Sequence, residues 1–324
     1  MIQFRILIQQ IVNGLSLGSV YALIAVGYSL VYSILLFSNF SHGGFLIIGG
    51  YICYYMLALE NTSLWISFIN SDSLFARAFS KIWSPGLISN IWTASAVSLI
   101  GAGIAAIIVE RMAYKPIRER TSTTLYILIA SMGMSIVIEN LFVVTVGGRL
   151  KAIPPVIPMQ TIELFAGATT SAFDLLSLAT SVVFLLALQS FLVKTKWGLA
   201  IRAASCNLKI TGMMGVNVNR LIAIVFFVAG MLAAVGGIFL SARYTLYPQL
   251  GGNITTKAFV AAVIGGLGSL PGAVAGSIIL GLAEMLTTGF LSSQFRDLIV
   301  FMLLIITLII RPGGLFGKSI VEKV

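Results

Sequence analysis

Charge is what this sequence has least of. Only 9% of its 324 residues are Asp, Glu, Lys or Arg, against roughly 25% in an ordinary soluble domain, so a water-facing surface cannot be built from it. Histidine occurs once, at His42, and cysteine twice, at Cys53 in an apolar run and Cys206 in a basic stretch. These residues have neither metal-ligand spacing nor a disulfide framework. Without paired carboxylates there is also no convergent acid–base site for a membrane-embedded enzyme. No catalytic residue, metal or cofactor is expected. The phosphate loop G-x-x-x-x-G-K-[ST] is missing as well, so any ATP hydrolysis must come from a partner. Basic residues outnumber acidic ones 20 to 10, a balance that can signal nucleic acid. Here they sit in short segments between apolar runs, which is the pattern of the positive-inside rule, and nucleic acid is not expected as a partner. The first ten residues carry only Arg5 and no small-residue cleavage site, so they read as the start of a span rather than a removable signal peptide.

What is abundant is apolar sequence, 58% of the chain, gathered in runs near the roughly 20 residues that cross a hydrocarbon core of about 30 Å. Runs at 11–37, 43–59, 91–109, 125–146, 173–193, 221–240 and 298–310 can span. An eighth, at 258–286, is interrupted between Gly265 and Gly272 by four glycines and Pro271, which break it into a short helix and a longer one. The expected fold is all-α: one integral-membrane domain over residues 1–324, a bundle of about eight transmembrane helices with broken or re-entrant segments. Arg111, Lys115, Arg118 and Arg120, and then Lys194, Lys196, Arg202, Lys209 and Arg220, place two loops on the cytoplasmic side, with the tail from Arg311. Parity then requires the eighth run to cross twice or re-enter. It also puts the N-terminus outside unless the long first run is itself interrupted. The polar stretches at 59–91 and 147–171 read as external loops.

Polar residues inside membrane sequence are functional candidates by default. Asn39, Ser41, His42 and Gly43 lie in a polar interruption that either lines a route through the protein or forms a surface turn. Glu139 sits mid-run, where a charge costs about 2.5–3.5 kcal/mol on insertion scales, so it faces protein, finds a partner or is protonated. Glu284 admits the same readings, weighted towards structure, and Lys257 reads as an interfacial cation at the start of the broken segment. In the loop 198–220, Ala203, Ala204, Leu208, Ile210, Met213 and Met214 form a short amphipathic helix carrying Arg202 and Lys209 and ended by Gly215. Such a helix lies on the anionic leaflet or docks a partner through its methionines. Gly14, Gly18 and Ala22, and again Gly272, Gly276 and Gly281, have the small-xxx-small spacing of close helix packing.

Five stretches resemble LivH-type permeases of branched-chain amino acid importers: NGLSLGSVYALIAVGYSLVYSILLFSNFSHGGFLIIGGY, ERMAYKPIR, RAASCNLKITGMMGVNVNRL, KAFVAAVIGGLGSLPGAVAGSIILGLAE and RPGGLFG. They cover nearly the whole chain in the family's order. The resemblance implies an ATP-driven importer in a bacterial inner membrane. In it this subunit pairs with a homologous second permease, two ATP-binding subunits dock on the cytoplasmic side, and a periplasmic binding protein delivers leucine, isoleucine or valine. It implies that Arg202, Ala203, Asn207, Leu208, Lys209, Met213, Met214 and Gly215 form the coupling loop. It also implies that Asn39, Ser41, His42 and Gly43, together with Gly265, Gly266 and Gly268, flank the translocation route, with Glu139 a further candidate. Ser205-Cys206-Asn207 departs from the acidic residues that often precede the family's Leu-Lys. Permeases for urea and short amides are the near rival, and a secondary transporter or channel the distant one.

Overall fold

A computed structural model describes residues 2–58, 91–121, 123–152, 161–163 and 169–317. The loop expected at 59–91 lies almost wholly outside them, as do residues 153–160 and 164–168 of the loop expected at 147–171 and the basic tail beyond residue 317. In order the elements are α1 (Ile2–Leu35), α2 (His42–Ala58), α3 (Ile91–Val109), a π-helical turn (Glu110–Tyr114), α4 (Lys115–Arg120) and α5 (Thr124–Val146). A small antiparallel hairpin follows, β1 (Thr161–Glu163) with β2 (Thr169–Ser171), and then α6 (Ala172–Lys194), α7 (Lys196–Cys206) and α8 (Leu208–Met213). The chain closes with α9 (Val218–Tyr244), α10 (Leu250–Gly265), α11 (Leu270–Phe290) and α12 (Arg296–Ile310). Among the described residues seven helices are long and apolar enough to cross a membrane, and α2 and α10 are shorter apolar helices.

α1 is one unbroken helix of 34 residues, about 51 Å at 1.5 Å per residue and longer than a hydrocarbon core. The first apolar run is therefore not interrupted. It ends at Leu36, whose φ of 53° takes the chain out of the helix. Glycine spacing decides what α1 packs on. A methyl on Gly14 or Gly18 would sit 2.9 Å from the Cα of Leu282 or Ile278, and one on Gly281 would sit 2.5 Å from the Cα of Gly18. α1 and α11 thus run antiparallel at backbone contact, with Gln10 beside Gly289 at one end and Ser33 beside Gly268 at the other. The first two members of the later stripe serve another neighbour, since Gly272 and Gly276 close against Gly265 and Ala261 of α10.

α1, α2, α9 and α10 form the core, with Leu23, Ile24, Phe45, Ile47, Phe226 and Ala261 fully buried. α3, α5, α6 and α12 surround it and turn isoleucine, leucine and valine outwards, among them Ile104, Ile136, Val183 and Ile309. With no hydrophobic penalty in lipid, such faces are the expected exterior of a membrane bundle. Arg118 donates to Asn219 at 2.9 Å, which brings the two basic loops to one end of the bundle. The tail after α12 reaches the same end: the amides of Leu315 and Phe316 donate to the carbonyls of Ile264 and Gly265 at 2.9 Å. These bonds satisfy carbonyls that the C-terminus of α10 leaves open.

Candidate translocation route and docking surface

The interruption after α1 is tucked into the bundle rather than laid on its surface. Asn39, Ser41 and His42 are all at most 1% exposed. Ser41 Oγ, Tyr114 Oη and Asn39 Oδ1 form a triangle with sides of 2.6, 3.0 and 2.9 Å. Two hydroxyl protons serve three contacts, so one side of the triangle is always without a proton. Tyr114 is the last residue of the π-helical turn, which buries it together with Glu110. The backbone is tied to α5, where Ser131 Oγ accepts from the amide of Phe40 and lies 3.2 Å from the carbonyl oxygen of Ser38.

His42 is not in the loop. It opens α2, its ring edge-on to Tyr28 and Phe45 at centroid distances of 6.1 Å. Neither of its ring nitrogens makes a hydrogen bond of good geometry, although the Ile24 backbone lies within polar reach; Tyr28 Oη, near Ser38, is in the same position, and Ser29 Oγ and Asn39 Nδ2 are without a partner. Such a group of buried orphans is exceptional. At the next residue α2 crosses α10. A methyl on Gly43 would meet the Gly251 carbonyl oxygen and Thr255 Oγ1, each at 2.2 Å, and one on Gly44 would meet Ile138 of α5. The neighbouring Glu139 is half-buried, 3.4 Å from Ser135 Oγ and close to Gly252. The structure thus brings Glu139 to the same three-helix crossing as Gly43.

Gly265, Gly266 and Gly268 are elsewhere. They form the joint between α10 and α11 at the basic end, where Gly266 at φ 106° and Gly268 at φ 82° require glycine. The interruption divides the run into two helices as expected, but the short one begins at Leu250, eight positions earlier. The burial of Leu250 and Ile254 holds the intervening Gly251, Gly252 and Asn253 helical. Lys257 consequently lies in the middle of α10 rather than at its mouth.

That shift exposes a constellation that sequence reasoning missed. Lys257 Nζ is 2.8 Å from Oε1 of Glu284, which is fully buried, and 3.2 Å from Asp297. Arg296 Nε lies 4.0 Å from Glu284 Oε2, and Tyr21 donates to the same oxygen at 3.2 Å. The available signal was a cation and an acid in successive apolar runs, each too costly to stand alone in lipid. These groups border a cavity of about 620 Å³ whose lining includes Tyr21, Tyr244, Lys257, Arg296 and Asp297.

At the basic end the expected single amphipathic helix is two helices. Asn207 separates α7 from α8 and caps the latter, its Oδ1 accepting from the amide of Ile210 at 3.0 Å. Gly215, at φ 86°, ends the segment as its residue type suggested. Arg202, Ala203, Asn207, Lys209, Met213, Met214 and Gly215 are exposed, whereas Leu208 is half-buried against the core. Ile210, Met213 and Met214 leave an apolar patch facing away from the bundle, of the kind that marks an interaction surface.

A bundle of this composition, with a polar-lined cavity near one end and an exposed apolar patch at the other, fits a membrane transport permease. Residues 10–308 match the family described as branched-chain amino acid transport system, permease component, and the chain belongs to that family. It is 37% identical to the high-affinity branched-chain amino acid transport system permease protein LivH of Salmonella typhimurium, over 99% of both chains. The same identity and coverage hold for LivH of Escherichia coli strain K12. BraD of Pseudomonas aeruginosa, a protein of the same description, is 35% identical over 98% of both chains. No solved structure matches.

Proposed function

We propose that the chain is the membrane-spanning permease subunit of an ABC importer for leucine, isoleucine and valine. It works beside a homologous second permease, two ATP-binding subunits and a periplasmic binding protein in a bacterial inner membrane. The observation that carries this reading is end-to-end similarity to LivH. The positive-inside rule puts the basic end in the cytoplasm, so the Ile210, Met213 and Met214 patch faces the side where ATP is. Closure of the ATP-binding subunits moves α7 and α8, and the bundle rocks between openings to the two sides. In this mechanism Asn39, Ser41, His42, Gly43 and Glu139 line the route, with Asn39 Nδ2 and the His42 ring offering transient contacts. Gly265, Gly266 and Gly268 serve as the joint between α10 and α11.

The free energy comes from ATP, so no proton or ion relay is required of this subunit. Deleting its gene should abolish uptake of isotope-labelled leucine and leave urea uptake intact; the opposite pattern would assign the chain to the amide-importing branch. For docking, Met213→Asp and Met214→Asp should lose co-purification of the ATP-binding subunits. Undiminished co-purification would remove α8 from the coupling surface.

A further inference from the structure

The cavity beside Lys257 has two helical walls, each presenting one face. Leu250, Asn253, Ile254 and Lys257, with Thr256 beside them, line it from α10, and Ser293 of the 3-10 turn before α12 and Arg296, Asp297 and Val300 of α12, with Phe301, line it from the other side. Apart from Thr256 and Phe301, both sets repeat at i, i+3, i+4 and i+7, the spacing of residues sharing a helix face. Asn253, Thr256 and Asp297 are exposed, which a face meeting lipid could not tolerate, so the cavity is wet. It lies towards the end opposite the basic loops, because α9 finishes and α10 and α12 begin around it.

We propose that this cavity binds an α-amino acid as a zwitterion, on the side from which the binding protein delivers it. Two cations and two carboxylates meet there: Lys257 and Arg296, Glu284 and Asp297. Glu284 is sealed at 0% exposure and serves to anchor Lys257, while Asp297 stands open to the cavity. Lys257 has three N–H donors and Arg296 five. Lys257 has two carboxylate neighbours, and Arg296 makes one long hydrogen bond, to Thr288 at 3.4 Å, beside the 4.0 Å ion pair from its Nε to Glu284, so most of its five N–H groups are uncommitted.

Donors are therefore in surplus for an incoming carboxylate, and Asp297 accepts an incoming ammonium. The cluster's net charge is zero, which suits a molecule carrying one charge of each sign and disfavours anions and cations alone. Leu250, Ile254, Val300 and Phe301 supply apolar wall for an aliphatic side chain. A volume of about 620 Å³ falls in the usual range of roughly 300–1,000 Å³ for small-molecule sites. Urea and short amides have no charges to meet this cluster.

The inference rests on the reading of the chain as an amino-acid permease, and the experiment separates the two. The complete complex, reconstituted in vesicles with leucine-loaded binding protein, is compared with Arg296→Met and with Thr256→Trp, which projects an indole into the cavity from an exposed position and leaves every ion pair in place. Absence of ATP-dependent leucine uptake by the unaltered complex overturns the parent reading. If the unaltered complex transports, both variants should assemble normally and take up leucine at least tenfold more slowly. Thr256→Trp assembling and transporting at the unaltered rate overturns the binding site. So does its failure to assemble with the second permease, which would make the cavity a subunit interface.

Discussion

The crossing of α2 and α10 makes a sharp prediction about three glycines. In Gly43→Ala the new Cβ falls 2.2 Å from the Gly251 carbonyl oxygen and from Thr255 Oγ1, where carbon and oxygen rest at about 3.3–3.6 Å. One obstacle is helix backbone and the other is a short side chain bonded to that backbone at 2.8 Å, so neither can swing aside. The helices must part by roughly 1 Å, and such a gap forfeits a quarter to a half of each opposing dispersion contact. Over-packing of this kind costs about 1–3 kcal/mol, and with backbone on the far side Gly43→Ala belongs near the top of that range. Gly44→Ala meets the end of the Ile138 side chain at 2.6 Å, which can rotate, and belongs near the bottom. Gly133 on α5 has nothing within 4 Å, so Gly133→Ala should gain about 0.5–1 kcal/mol from helix propensity alone. Denaturant unfolding of the purified protein in detergent, followed by loss of helical circular dichroism, measures the series. Stability should fall in the order Gly133→Ala, unaltered, Gly44→Ala, Gly43→Ala. Finding Gly43→Ala as stable as Gly133→Ala would refute the crossing.

Further outcomes follow from the polar contacts. Lys257→Met leaves Glu284 buried without its 2.8 Å partner and should cost about 3–5 kcal/mol in the same assay, part of which Glu284→Gln in the double variant recovers; strictly additive effects would show that the pair does not interact. Tyr114→Phe removes the hydroxyl shared by Ser41 and Asn39 and should cost about 1–3 kcal/mol, and an unchanged unfolding midpoint would count against the triangle. Asn207→Ala deletes the cap of α8, worth about 1 kcal/mol, and should speed amide hydrogen exchange at Ile210 without altering the bundle; unaltered exchange there would contradict the cap.

How much of this was legible in advance depended on how local the cause was. Spans were readable because length and apolarity act within a single helix, and so was the division of residues 258–286, because Gly265, Gly266, Gly268 and Pro271 break a helix in any context. The glycine stripes announced close packing for the same reason, although only the fold shows that Gly14 and Gly18 meet α11 while Gly272 and Gly276 meet α10. Pairings across the bundle were not readable. Asn39 and Tyr114 are 75 positions apart, and Glu284 finds Lys257 only because α10 and α11 fold back on each other. The early start of α10 was not readable either, because the burial of Leu250 and Ile254 that overrides the low helix propensity of Gly251-Gly252-Asn253 is not visible in sequence. Asn207 misled in the opposite direction: its apolar neighbours suggested a continuous helix, and a side chain able to cap its own backbone divided it.

The account's central claim is that this subunit carries branched-chain amino acids at the expense of ATP hydrolysed by its partners. The most direct measurement is uptake of labelled leucine into vesicles holding the complete complex, with ATP or a non-hydrolysable analogue supplied on the face that carries the basic loops. The account predicts uptake that requires hydrolysis and the loaded binding protein, and that valine and isoleucine compete for. Leucine entry at the same rate with the analogue, or with no nucleotide, would contradict it.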